Sequence, residues 1–131
     1  MRGLRYLCLI AVLIACSGFA AKGTAEKAVA HFHEQLDAAS FEAIYDETDD
    51  LFKGATTKDQ FVAILRSVHT KLGNVVRSDQ TEFYSREQAG TNAGSYISMT
   101  YATQFASGKA TEKFNYRVDG NKVRLAGYNV S

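Results

Sequence analysis

The chain has 131 residues, of which 46% are hydrophobic and 22% charged, a balance that suits one folded domain and excludes disordered, collagen-like or coiled-coil chains. Fifteen Lys and Arg stand against fourteen Asp and Glu. The formal net charge is only +1, so no nucleic-acid partner is expected.

Met1-Arg2-Gly3-Leu4-Arg5 forms a positive start, and Tyr6 to Ala15 is an uncharged apolar run. This order is that of a secretory signal, and the run falls short of the ~20 apolar residues that a membrane-crossing helix needs. Leu13-Ile14-Ala15-Cys16 then resembles the lipobox of bacterial lipoproteins. The resemblance implies that residues 1–15 are removed and that Cys16 carries a diacylglyceryl thioether, with a membrane as its partner. Two or three acyl chains at roughly 0.8 kcal/mol per buried methylene would hold the domain firmly. Ser17, in place of an Asp, implies sorting to an outer membrane, with the domain facing the periplasm. The alternative is ordinary cleavage after Ala20, where Gly18 and Ala20 are both small, giving a soluble exported protein. Cys8 leaves with the leader in either case, so a structural disulfide is excluded.

Residues 16–23 are expected to form a short tether, able to span at most ~27 Å, and residues 24–131 a single domain. Thr24 is a candidate cap for a helix whose apolar stripe runs Ala25, Ala28, Val29, Phe32, Leu36, Ala39. Ser40 offers a cap for a short second helix burying Phe41, Ile44 and Tyr45. An irregular or helical continuation follows, interrupted at Gly54. Thr57-Lys58-Asp59-Gln60 has capping-box order, and Phe61, Ile64, Leu65, Val68 and Leu72 mark a third helix stopped by Gly73.

Beyond Gly73 the apolar period drops to two residues, predicting strands near 75–85, 95–105, 110–118 and 122–130. Turn residues at 89–94, 107–109 and 119–120 make this an antiparallel meander. Ile97, Met99, Tyr101 and Phe105 share one face of the second strand, and Phe114, Tyr116 and Val118 one face of the third. On the last strand Val123 and Leu125 have one parity, Tyr128 and Val130 the other. A bulge at Ala126-Gly127 would bring all four to one side.

Taken in order, these features resemble a known family. Ala28-Val29 to Phe32, Leu51-Phe52-Lys53, Thr57 to Phe61, Lys71-Leu72-Gly73, Tyr101, Phe105 to Glu112 and Leu125-Ala126-Gly127-Tyr128 resemble the bacterial family known as domain of unknown function 4019. The resemblance covers essentially the whole domain after the leader. It implies an α+β fold, with three N-terminal helices packed on a curved four-stranded antiparallel sheet. That cone-shaped plan is similar to nuclear transport factor 2 and cystatin-like proteins. It implies no activity.

The chemistry-bearing residues do not assemble into a motif. His31 and His33 are two apart on one helix and point about 200° apart, so they cannot share a metal, and surface or rim positions are expected for both. Asp46-Glu47-Thr48-Asp49-Asp50 begins like a calcium loop, but Leu51 and Thr57 occupy the positions that require Gly and Glu. Helix-end capping is the role expected there. No metal or other cofactor is expected. Tyr101, Glu112, Tyr116 and Tyr128 are the candidate pocket residues between helices and sheet. Of two readings, one places the tyrosines in the core and Glu112 at the sheet margin. In the other, Glu112 beside a tyrosine has a raised pKa and serves as the base of a small isomerase-like enzyme. The leading expectation is a non-enzymatic, lipid-anchored envelope domain that binds a small apolar ligand or an envelope protein.

Overall fold

The computed structural model describes residues 16–131; the leader read in residues 1–15 lies outside them. Four helices precede four strands: α1 (Cys16–Asp37), α2 (Phe41–Asp46), α3 (Asp50–Ala55), α4 (Lys58–Leu72), β1 (Val75–Gln88), β2 (Gly94–Phe105), β3 (Gly108–Asp119) and β4 (Lys122–Val130). The strands form one antiparallel sheet in the order β1-β2-β3-β4, open at both edges. The helices cover one face of it, packing chiefly through α1 and α3 against β3 and β4. No described helix is long and apolar enough to cross a membrane.

The helical half departs from expectation at several points. Among the described residues there are four helices rather than three, because the stretch after α2 breaks at residues 47–49 and restarts as α3, which runs through Gly54. α1 already includes the segment expected as a tether: residues 16–23 are its first turns, spanning ~12 Å at helical rise instead of up to ~27 Å. Thr24 is therefore no cap, and its hydroxyl donates to the Ala20 carbonyl one turn back. Ala25, Val29, Phe32 and Leu36 are buried as the stripe requires. Ala39 is not, because the helix has ended and its backbone sits at φ 55°. Ser40 precedes α2 without a side-chain capping bond. The cap that forms is Asp49, whose carboxylate accepts from the Leu51 N–H at 3.0 Å to start α3.

α4 is bounded as its sequence predicts. The Thr57 hydroxyl accepts from Gln60 N–H, the Gln60 side chain accepts from Thr57 N–H, and Gly73 ends the helix at φ 76°. Its buried stripe is Phe61, Val62, Leu65 and Val68; Ile64, expected inside, is 48% exposed.

In the sheet, β1 is three residues longer than predicted, and the two tight turns are shifted to 106–107 and 120–121. The predicted bulge is present. Asn115 pairs with Gly127 and Tyr116 with Leu125, so Ala126 is the extra residue. This inversion lets Leu125 and Tyr128 both reach the helix-covered side. Two more bulges, at Val76 and Thr81, interrupt the first half of β1.

An aromatic cluster joins the layers. The Phe32 ring of α1 lies 4.7 Å from Tyr128 and 5.1 Å from Phe114, with Phe61 of α4 touching Tyr128 at 6.4 Å. Each buried aromatic of this kind contributes about 1.5–3 kcal/mol by removal from water, and edge-to-face pairing adds to that.

Candidate functional site

The helix-covered face of β2 and β3 presents Thr103 and Glu112 beside the aromatic cluster, because both share the parity of Tyr101 and Phe114. Glu112 has no exposed surface. It therefore does not lie at the sheet margin. A carboxylate so placed must be fully hydrogen-bonded, and it is. His33 Nε2 of α1 lies 2.8 Å from Glu112 Oε1, the Thr103 hydroxyl donates to the same oxygen at 2.6 Å, and the Tyr128 hydroxyl donates to Oε2 at 2.6 Å. Thr103 has spent its proton on Glu112, so Ser78 Oγ, at 2.8 Å, is the donor to it.

Burial by itself would push the Glu112 carboxyl up. The hydrogen bond and charge of His33, with the bonds from Thr103 and Tyr128, outweigh it and hold the carboxyl below its ordinary value. The raised pKa that a Glu112 base required is thus absent. The tyrosines shift the other way: Tyr116 and Tyr128 are pushed far up by burial and then by neighbouring ionisable groups, Glu112 among them. Tyr101 rises for the same first reason, partly offset by the bond from Gln80.

The four candidate pocket residues are therefore only partly brought together. Glu112 and Tyr128 meet. Tyr101 packs edge-on against Phe114 at 5.7 Å, and Tyr116 stacks on the other side of that ring. Tyr116 lines a small cleft of about 140 Å³ with Phe32, Ile44 and Leu125. His33, expected on the surface or rim, is 8% exposed; one residue past Phe32 on the buried stripe, it sits at the stripe's edge where Glu112 can reach it. His31 is exposed as expected, and pairs with Glu47 at 3.1 Å. Among the described residues no three His, Cys, Asp or Glu converge as metal ligands would.

Glu112 itself lines neither of the two larger hollows, although its partner Thr103 borders the second. One of about 460 Å³ opens between the start of α1 and the sheet, walled by Ala20, Ala21, Phe83, Ile97, Val118 and Val123. Thr24 and Ser85 add hydroxyls, and Glu87, bonded to the Ser95 hydroxyl, stands at its margin. The volume falls within the ~300–1,000 Å³ of small-molecule sites. A second hollow of about 650 Å³ lies against the sheet with the mainly polar walls Arg77, Asp79, Gln104, Lys109 and Thr111. The sequence reading missed the first cavity because its walls come from five elements. Only the shared parity of Ile97 and Val118 with the core pointed towards it.

A family model described as "Protein of unknown function (DUF4019)" matches residues 28–128. The chain belongs to this family. No curated protein matches it. The DUF4019 segment holds His33, Thr103, Glu112 and Tyr128, together with the sheet walls of the 460 Å³ cavity. The helical wall, Ala20 to Thr24, precedes it.

Proposed function

We propose that this protein is a lipid-anchored envelope protein, held by Cys16 to the periplasmic side of the outer membrane, and that it binds a small apolar ligand without catalysing a reaction. The observation that carries this reading is the mainly apolar cavity between α1 and the sheet, whose aliphatic and aromatic walls are joined by a few hydroxyls and by Glu87, Asn121 and Lys122. α1 begins at Cys16 and reaches the cavity at Ala20, so the ligand site would lie within a few turns of the membrane anchor. In this reading the helices sit on the concave side of a curved sheet, as in the cone-shaped fold of nuclear transport factor 2. The three bulges, which bend strands, support that curvature.

Acid/base catalysis by Glu112 with Tyr128 is the second reading, favoured by their 2.6 Å contact. Its weakness is access. The carboxylate is fully enclosed, and both oxygens are occupied by His33, Thr103 and Tyr128. A substrate would have to displace one of them.

Native mass spectrometry of the full chain extracted from membranes tests the binding reading. The expected result is a co-purifying apolar molecule that is lost in Ser85→Trp, a substitution that fills the cavity from an exposed position. A chain that carries nothing and does not enhance Nile red fluorescence would overturn it. The anchor is tested separately by Cys16→Ser, which should move the protein from the membrane to the soluble fraction.

A further inference from the structure

The two edges of the sheet are treated differently. β4 is shielded: Asp49 N–H donates to the Leu125 carbonyl at 2.8 Å, α1 and α3 pack on the strand, and Lys122, Arg124 and a bulge interrupt it. Such features are how proteins protect an edge from pairing with another chain. In its second half β1 has charged side chains, Glu82, Arg86 and Glu87, but no bulge and no backbone hydrogen bond from a covering loop of the kind Asp49 makes to β4. From Glu82 to Gln88 its ladder with β2 is unbroken, it contains no Lys or Pro, and Glu82 to Glu87 are all exposed. Phe83 and Tyr84 are among the exposed large apolar side chains, Tyr84 at 58%.

A strand that pairs antiparallel with its own copy does so about a two-fold axis, so each possible register has one residue at its centre. In the run 82–88, centring on Arg86 would set that cation against itself. Centring on Phe83 would bring Asp79 near Glu87. Centring on Ser85 pairs no opposite charges. Centring on Tyr84 places Glu82 opposite Arg86 twice, once on each side of a Tyr84 pair, with Phe83 opposite Ser85 on the other face. Glu82, Tyr84 and Arg86 share the sheet face away from the helices, where the Arg86 guanidinium lies 5.1 Å over the Tyr96 ring.

We propose that the β1 edge is a homodimer interface, in which two copies pair through residues 82–86 in the register centred on Tyr84 and join their sheets into one. The partner is a second copy of this chain because the charge pattern of the strand is complementary to itself. An edge of this length gives a weak dimer, and confinement to a membrane surface would raise its occupancy.

Disulfide trapping in the full chain tests the register. Directly opposite Cα atoms lie ~4.5–5.5 Å apart, within disulfide reach. Tyr84→Cys should therefore cross-link under mild oxidation well above the unsubstituted chain, which reports the background from Cys8 and Cys16. Glu87→Cys should not, because its two copies would be ~20 Å apart along the strands. Adding R86E to Tyr84→Cys sets like charges opposite and should lower the cross-linked yield about tenfold. Mixing that chain with one carrying Tyr84→Cys and E82R, or combining E82R with R86E in one chain, should restore it. All these positions are exposed, and thermal melts check that each variant folds. Equal cross-linking at positions 84 and 87, no effect of R86E, or no restoration on mixing would overturn the proposal.

Discussion

Replacing His33 with Phe keeps a flat ring beside Phe32 and Phe114 but takes from Glu112 one of its three side-chain hydrogen-bond partners. Glu112 has no exposed surface, so water cannot replace the lost bond without opening the layers. Removing one member of a buried pair costs about 3–5 kcal/mol, and uptake of a proton by Glu112 limits the loss to the lower end, about 3 kcal/mol. With a urea slope of about 1.5 kcal/mol/M for a domain of this size, the unfolding midpoint should fall by about 2 M at pH 7. The informative partner is His33→Phe with Glu112→Leu. That double variant buries no charge, and its remaining loss comes from Thr103 and Tyr128, of which Thr103 keeps Ser78 and Tyr128 is only partly buried. It should therefore be more stable than His33→Phe alone. A single variant losing under 1 kcal/mol, or a double variant less stable than the single, would refute the view that Glu112 is a buried carboxylate dependent on His33.

Three further perturbations follow from the same geometry. The folded pKa of Glu112 lies below its unfolded value, so between the two the unfolded chain binds the extra proton and stability rises with pH. This contribution is complete above about pH 4.5 and is lost as pH falls through the folded value; the stability difference between wild type and Glu112→Gln should shrink over that acid range in urea titrations. Thr57→Ala removes half of the capping box of α4 and should cost about 1 kcal/mol, read as a lower melting temperature with unchanged helix content at 25 °C. Gly73→Ala should destabilise by about 1 kcal/mol or more, because the residue sits at φ 76° and an added Cβ would meet the Ala106 Cβ at 3.2 Å. Circular-dichroism melts that show no change would contradict the last two.

Local chemistry was legible in the sequence wherever neighbours in the chain decide it. The capping box at Thr57 and Gln60, the stop at Gly73, the strand parities of Ile97 to Phe105, and the bulge at Ala126 all follow from spacing alone. Where a residue's fate depends on what another element places opposite it, spacing was insufficient. Ile64 fits a helical stripe but faces solvent because α4 packs on α1 and α2 through the side that carries Val62 and Leu65. Asp49 caps a helix as its sequence context suggests, but that it is also buried and joins α3 to β4 through its backbone N–H was not legible from spacing.

The same division holds for function. By itself the sequence determined the family and the order of a helical half before a β half, since each rests on the order of local patterns along the chain. Only the tertiary structure decided the state of Glu112. Its donors come from positions 33, 103 and 128, on a helix and two different strands, and a carboxylate's protonation is set by the groups packed around it rather than by its neighbours in the chain. The cavity beside α1 is decided in the same way, because an enclosed volume is a property of packed layers, and the chain that lines it runs from Ala20 to Val123.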